Sequence, residues 1–146
     1  HTLDHIGFYS ESEEAIFCGD TLFVGGVGRV FEGNPPQMRS SLEKLRCLPP
    51  QTRIFCAHEY TLANLRFAQQ VEPDNKRLEV FLGECANKRQ ANVPTVPSHL
   101  GDECEYNAFL RWDSSSVQAT LKQLGRLQDN SHDGVFTAVR EWKNQA

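Results

Sequence analysis

Three side chains in this sequence have the chemistry to bind a metal ion: His1, Asp20 and His58. Imidazole nitrogen and carboxylate oxygen are ligands that suit zinc, iron and manganese. Asp20 and His58 each follow a short apolar run typical of a strand, so both can reach one edge of a sheet. A carboxylate between two metal ions can bridge them and fix a shared hydroxide. The pattern is therefore compatible with a metal centre that includes Asp20.

A second interpretation stays open on spacing alone. A histidine at the end of a strand is often a structural residue held by hydrogen bonds, and Asp followed by Thr is often a turn or a helix cap. Short motifs of this kind also arise by chance. The three residues by themselves do not decide between a metal centre and ordinary turns.

The five cysteines are scattered without a Cys-x-x-Cys pair. An odd and unpatterned set favours reduced thiols in a cytoplasmic protein over a disulfide framework or a cysteine-rich zinc site. A metal centre in this chain is therefore expected to use histidine and carboxylate ligands.

Length and composition limit the class of protein. The chain has 146 residues, which is enough for one domain or two small ones, and its 39% hydrophobic and 23% charged residues are ordinary for a globular protein. A formal net charge of -4 argues against a nucleic-acid partner, and no apolar run approaches the roughly 20 residues of a membrane helix. The sequence opens without an initiator methionine or a signal peptide, so we expect the natural N-terminus to lie upstream.

The first third of the chain has the pattern of short strands separated by turns. Residues 6–10 and 15–18 are apolar runs rich in aromatic or branched side chains, and the acidic stretch 11–14 between them suits a hairpin loop. Residues 53–56 form a further strand that leads to His58. These strands are expected to place the candidate ligands.

Between and after these strands the sequence predicts a loop and then helices. A glycine-rich loop is expected over residues 25–33, and a helix begins at Pro35-Pro36. Apolar residues recur at helical spacing in four later segments, 62–68, 78–85, 117–127 and 135–142, the last with Asp133 as its N-cap. Residues 93–100 contain two prolines and are expected to be an extended connector. We therefore predict a β-rich part over residues 1–59 and an all-helical part over residues 60–146.

Five ordered stretches resemble motifs of a known superfamily. Residues 1–5 (HTLDH), 17–23 (FCGDTLF) and 57–61 (AHEYT) resemble three successive metal motifs of the metallo-β-lactamase superfamily. Their order and separations match the glyoxalase II branch, also called hydroxyacylglutathione hydrolase. Residues 28–33 (GRVFEG), and residues 93–98 (VPTVPS) running to Tyr106-Asn107, resemble that branch specifically. By this resemblance the chain looks like the C-terminal portion of a glyoxalase II-like protein.

The resemblance implies a centre of two divalent metal ions, zinc first and iron or manganese as alternatives. In this pattern His1 binds one ion, His58 binds the other and Asp20 bridges them. His5 corresponds to a position near the metals that is not itself a ligand. Two other histidines match no metal motif and are expected at the surface: His99 and His132.

The resemblance also implies residues that hold a glutathione thioester. Arg29 matches a basic residue of the glycine-rich loop, and Tyr60 matches a hydroxyl that contacts the peptide part of the substrate. Arg140 and Lys143 are three residues apart, so they share one helical face, and they resemble the pair that holds the glycine carboxylate. The alternative for this pair is a solvated helix face.

The fold implied is α+β: the second half of a metallo-β-lactamase αββα sandwich over residues 1–59, then an all-helical, glutathione-binding domain over residues 60–146. Two positions depart from the family pattern, Phe31 in place of a tyrosine and Ala57 in place of a glycine. The histidine-rich first metal motif is expected upstream of His1. The missing N-terminal half is therefore a predicted partner, and this chain is expected to be inactive alone.

For the complete enzyme the resemblance implies hydrolysis of S-D-lactoylglutathione to D-lactate and glutathione. A hydroxide bridging two metals attacks the thioester carbonyl, with Asp20 as the catalytic bridging ligand. Two alternatives remain open. One is a persulfide dioxygenase of the same superfamily, which consumes oxygen, and the other is a non-catalytic fragment that only binds glutathione or another protein.

Overall fold

The computed structural model describes all residues from 1 to 146 and contains six strands, six α-helices and one 3₁₀ turn. The strands are β1 (Phe8–Ser10), β2 (Ala15–Gly19), β3 (Leu22–Phe23), β4 (Gly26–Val27), β5 (Arg53–Cys56) and β6 (Ser98–His99). The helices are α1 (Pro35–Arg46), α2 (Thr61–Val71), α3 (Lys76–Gln90), α4 (Leu100–Tyr106), α5 (Ser115–Gln123) and α6 (His132–Gln145), and the 3₁₀ turn is Ala108–Leu110. No helix is both long enough and apolar enough to cross a membrane.

The four-stranded sheet has the order β1-β2-β5-β6. β1 and β2 are antiparallel, while β2 and β5 are parallel with Ile16 opposite Ile54. The acidic loop between β1 and β2 has the predicted hairpin position, and β5 has the predicted bounds. β3 and β4 form a separate two-stranded hairpin, in which β3 precedes the segment predicted as a glycine-rich loop and β4 lies within it.

The two faces of the four-stranded sheet differ in exposure. Ile16, Cys18 and Ile54 are buried on one face. On the other face Phe8 lies opposite Phe17, and Phe17 is stacked on Phe55 at a centroid distance of 5.0 Å. Phe8 and Phe17 are 66% and 53% exposed. An aromatic row therefore crosses three strands on the more exposed face of the sheet.

The prediction of an all-helical second part was wrong at one segment. Residues 98–99 form β6, which pairs antiparallel with β5, and α4 begins directly afterwards at Leu100. Local periodicity did not indicate this strand because it is only two residues long and is stabilised by β5, more than 40 residues away. The helical part thus adds one strand to the sheet. The observed mixture of strands and helices is compatible with the predicted α+β class.

Helix boundaries followed capping chemistry more closely than apolar spacing. α1 begins with Pro35-Pro36 as predicted, and Asn34 caps it by accepting a hydrogen bond from the Gln37 backbone N–H. The N-cap of α6 is Ser131, not Asp133, because the Ser131 hydroxyl accepts from the Gly134 N–H. α5 ends at Gln123, so the apolar residues beyond it lie outside the helix.

One hydrophobic core joins the two predicted parts. Its 28 buried residues extend from Ile16 in β2 to Trp142 in α6. Phe109 and Trp112 both contact Phe136 of α6 through edge-on ring packing. Because the core is continuous, α6 is held in a fixed position relative to the β3–β4 hairpin. The division at residues 59 and 60 stays a prediction.

Candidate functional site

Two parallel strands end side by side and present Asp20 and His58. Gly19 at the end of β2 pairs with Cys56 at the end of β5, and the Ala57 N–H donates to the Gly19 carbonyl at 3.0 Å. Asp20 follows Gly19 directly and His58 follows Ala57, so the two side chains enter the same space. His58 Nε2 lies 3.2 Å from Asp20 Oδ1.

His1 approaches the same carboxylate from the other side. His1 Nε2 lies 3.7 Å from Asp20 Oδ2, and His1 Nδ1 lies 3.0 Å from the Arg29 carbonyl oxygen. Because a carbonyl only accepts, the Nδ1–H donates to it. The lone pair of neutral His1 is then on Nε2, the atom nearest Asp20, which is the tautomer that binds a metal at Nε2.

The two Asp20 oxygens therefore face two different histidines. This is the donor arrangement of a bridging carboxylate, with one imidazole nitrogen and one carboxylate oxygen on each side, and its chemistry fits zinc, iron or manganese. No group of three or more His, Cys, Asp or Glu residues is arranged to hold an ion by itself. Zinc sites in proteins commonly have three or four protein ligands. Each side of Asp20 thus presents one imidazole nitrogen and one carboxylate oxygen, fewer donors than a zinc site commonly has.

Gly28 was missed as a site residue, although it belongs to the glycine-rich loop. A β-carbon at this position would overlap the Asp20 carbonyl oxygen and come within 3.3 Å of His1 Nδ1. The Gly28 N–H donates to the Thr21 carbonyl at 3.4 Å. Only glycine allows the loop to pack this closely against Asp20.

All seven predicted site residues line one pocket of about 630 Å³. Its lining includes His1, Asp20, Arg29, His58, Tyr60, Arg140 and Lys143. In the sequence these residues lie in four separate motifs and a distant helix. The structure brings them together because β2 and β5 end beside the β3–β4 hairpin, and α6 packs next to it.

Arg140 is buried, so the alternative of a solvated helix face does not apply to it. Only 3% of it is exposed, and its guanidinium lies 5.1 Å above the Phe109 ring. Nη1 donates to the carbonyls of Val27 and Gly28 at 3.4 and 3.3 Å, and Nε donates to Asn144. Nη2 makes no hydrogen bond within the chain. Burial, followed by repulsion from Arg29, lowers the pKa of Arg140 to about 10.

Lys143 and Arg29 extend this cationic group. Lys143 Nζ lies 4.7 Å from the Phe67 ring centre and 3.4 Å from the Ala63 carbonyl. Burial and the nearby Arg140 charge lower the pKa of Lys143. None of the three cations forms an ion pair with a carboxylate of the chain. Uncompensated positive charge in a pocket attracts an anionic ligand.

Aromatic rings flank the two histidines. Tyr60 is stacked on His58 with centroids 5.0 Å apart, and Phe31 meets His1 edge-on at 4.8 Å. Phe23 packs against both His58 and Tyr60 and was not predicted as part of the site. Its place within the second metal-type motif, three residues after Asp20, was the available signal. These rings make one wall of the pocket apolar.

The other histidines lie where they were expected. His5 lies beside Asp20 but does not line the pocket. His99 and His132 are exposed. All five cysteines are free thiols, and Cys18 is buried, which raises the pKa of its thiol to about 12.

Comparison with known proteins finds related sequences over nearly the whole chain. The sequence model described as hydroxyacylglutathione hydrolase C-terminus matches residues 59–146. The hydroxyacylglutathione hydrolase of Chromohalobacter salexigens is 49% identical over 146 residues, which cover 99% of this chain and 56% of that protein. Those of Idiomarina loihiensis and Nostoc punctiforme are 49% and 50% identical, over 57% and 56% of their lengths. This chain thus spans a little over half the length of these relatives, and it belongs to the hydroxyacylglutathione hydrolase family.

Proposed function

We propose that this chain forms the C-terminal part of a metal-dependent thioesterase that hydrolyses S-D-lactoylglutathione to D-lactate and glutathione. One observation carries the proposal: a carboxylate held between two histidines shares a pocket with three cations that have no acidic partner. The first group suits metal-assisted hydrolysis, and the second suits an anionic substrate. Family membership supports the same reaction class.

His1, Asp20 and His58 would hold two divalent ions, with zinc as the first choice for nitrogen and oxygen donors and iron or manganese as alternatives. Bound ions would supply hydroxide near neutral pH and stabilise the oxyanion of the attacked thioester. The Arg29 carbonyl keeps the Nε2 lone pair of His1 on the side of Asp20. The chain itself therefore fixes the orientation of the bridging carboxylate and of one imidazole.

The cationic group would bind the peptide part of the thioester. Glutathione carries two carboxylates, and guanidinium and ammonium groups are strong donors to carboxylate. Arg140 retains a free Nη2, and Lys143 lies one helical turn further along α6. Arg29 lies across the pocket, and the Tyr60 hydroxyl has no partner in the chain. The thioester carbon would then lie near Asp20, against the aromatic wall.

The sheet supports a further proposal about architecture. The helices cover one face of β1-β2-β5-β6, and the other face exposes an aromatic row, as expected of half an αββα sandwich. We propose that the N-terminal half of the family fold covers this row and completes both coordination shells. The free cysteines favour a cytoplasmic location for the enzyme.

The test is thiol release from S-D-lactoylglutathione by the complete enzyme, compared with its Asp20→Ala variant. We expect Asp20→Ala to lose nearly all turnover, whereas Asp74→Ala, an exposed acid in a loop far from the pocket, keeps it. Oxygen consumption with glutathione persulfide and no thioester turnover would instead identify a dioxygenase. Binding of glutathione without either reaction would identify a non-catalytic module.

A further inference from the structure

His5 contacts the backbone N–H of Asp20 and the side chain of the next residue, Thr21. The Asp20 N–H donates to His5 Nε2 at 3.4 Å, and the Thr21 hydroxyl lies 3.2 Å from His5 Nδ1. The β1–β2 register explains this position, since Phe8 pairs with Phe17 and three more residues along each strand bring His5 opposite Asp20. The imidazole therefore spans the turn that presents the carboxylate.

These contacts define the protonation of the ring. A backbone N–H only donates, so His5 Nε2 must be the acceptor and must carry no proton. In the neutral imidazole the proton is then on Nδ1 and is donated to the Thr21 hydroxyl. Both ring nitrogens are thus engaged by the residues of one turn, and the single nitrogen lone pair, on Nε2, is not free to bind a metal ion.

Two glycines allow the turn at Asp20 to pack closely against its neighbours. Gly19 has a φ of +53°, and a β-carbon there would overlap His5 Nε2. Gly28 packs against the carbonyl of Asp20 from the opposite direction. The backbone of Asp20 is therefore held between His5 on one side and the glycine-rich loop on the other, and its carboxylate is aimed at His1 and His58.

We propose that His5 is the positioning residue of the bridging aspartate, acting through the Asp20 backbone N–H rather than as a ligand. The proposal rests on the proposed function, since Asp20 needs exact placement only if its two oxygens serve two ions. The angle of a bridging carboxylate fixes both metal–oxygen contacts at once, so a small rotation of the turn weakens both. Residues that orient ligands typically alter metal affinity by about 10–100-fold when replaced.

Two variants of His5 in the complete enzyme separate positioning from simple packing. His5→Leu keeps bulk but removes the acceptor, while the amide oxygen of His5→Gln can still accept from the Asp20 N–H. We expect His5→Leu to lower metal affinity by about tenfold or more and to lower kcat with KM within about twofold, because the substrate cations are untouched. His5→Gln should recover most of both losses. His99→Leu is the matched control, since His99 is exposed and far from the pocket.

The contact can also be measured in the wild type without any variant. Long-range ¹⁵N–¹H spectra of the imidazole, recorded without metal, should show the tautomer protonated at Nδ1, and the Asp20 amide should exchange slowly with solvent. A tautomer protonated at Nε2 would overturn the proposal. This measurement decides the matter if His5→Leu fails to fold.

Failure of the His5 proposal can be distinguished from failure of the proposed function. If His5→Leu folds and binds two ions with wild-type affinity and turnover, while Asp20→Ala loses both, then His5 does not position Asp20 and the proposed function stands. If Asp20→Ala binds metal as well as the wild type does, the proposed function fails and the role of His5 fails with it.

Discussion

Asp20 has a geometry that few other residue types could provide. Its two carboxylate oxygens lie 3.7 Å from His1 Nε2 and 3.2 Å from His58 Nε2, so one short side chain faces two imidazoles. An amide such as asparagine has a single acceptor oxygen and could serve only one side. The chemistry of the site therefore depends on residue type at this position and on glycine at position 28.

At the residue scale, Lys143 and Arg140 are expected to differ when replaced. Lys143→Ala should raise KM for a glutathione thioester by about tenfold with kcat little changed, since a charge-assisted hydrogen bond contributes about 1.5–3 kcal/mol. Arg140→Ala should raise KM and also lower the melting temperature, because it removes donors to the Val27 and Gly28 carbonyls. Steady-state kinetics and thermal unfolding measure both effects.

The matched control for this pair is Lys122→Ala, which removes an exposed cation on α5 outside the pocket. It should leave KM and melting temperature unchanged. An unaltered KM in both Lys143→Ala and Arg140→Ala would show that α6 does not bind the substrate, and would leave glutathione supported by family membership alone.

The sequence predicts the positions of some site residues better than those of others. Asp20 and His58 could be expected at one edge of a sheet, because each follows a predicted strand, whereas the pairing of these two strands became visible only in the structure. The position of His1 depends on the Arg29 carbonyl, which lies 28 residues along the chain and carries no local signal. Likewise, the burial of Arg140 follows from packing of α6 on the β3–β4 hairpin. Spacing indicated only which helical face Arg140 shares with Lys143.

At the element scale, α4 and the following turn hold the β3–β4 hairpin in place. The fully buried carboxylate of Glu103 accepts from the Gly25 N–H at 2.9 Å and from Asn107 Nδ2 at 2.9 Å. Asn107 Nδ2 also lies 3.4 and 3.2 Å from the carbonyls of Phe23 and Gly26. The residues that line the pocket on this hairpin are therefore fixed by two polar side chains of the helical part.

Burial raises the pKa of Glu103 from its ordinary value of 4.5 to about 7, against the opposing effect of its hydrogen-bond donors. The folded state thus binds this proton more tightly than the unfolded state. The stability that the group contributes is fully present below about pH 4.5 and is lost as pH rises through about 7. Denaturant unfolding of wild type and Glu103→Gln at pH 5 and pH 8 measures this loss.

We expect the stability of the wild type relative to Glu103→Gln to fall by about 2 kcal/mol between these two pH values. The glutamine keeps the acceptor oxygen and removes the titration, so each pH value has its own internal control. If the free energies of unfolding of the wild type and Glu103→Gln differ by the same amount at pH 5 and pH 8, Glu103 does not titrate in this range.

Elements with strong local signals were predicted well, and those that depend on partners were not. α1 has prolines in its first turn and β5 is a compact apolar run, and both were predicted with nearly the observed bounds. β6 was assigned to the extended connector over residues 93–100, and α4 was not predicted as a helix, since two prolines precede both elements and no apolar period fills so short a segment. Pairing with β5 and burial of Glu103 determine their structure, and both are long-range effects.

At the scale of the whole molecule, the uncovered sheet face predicts how the chain behaves with and without the rest of the family fold. Phe17→Asp should make the isolated chain less prone to self-association, because it breaks the exposed aromatic row. The same change should destabilise the complete enzyme by about 2–4 kcal/mol if the N-terminal half covers that row. Light scattering and denaturant unfolding test the two statements.

Val80→Asp is the control for Phe17→Asp, since Val80 is 56% exposed on α3, away from the sheet. Val80→Asp should change neither the self-association of the isolated chain nor the stability of the complete enzyme. If Phe17→Asp leaves the complete enzyme as stable as the wild type, the aromatic row is not an interior surface and the sandwich proposal fails.

The most direct test of the account is the metal content of the complete enzyme with and without Asp20. Elemental analysis after dialysis should give two divalent ions per molecule for the wild type, and Asp20→Ala should lose most of both, because one carboxylate serves both sites. The exposed-acid variant Asp74→Ala should keep two. Retention of two ions by Asp20→Ala would contradict the bridging role on which the proposed reaction depends.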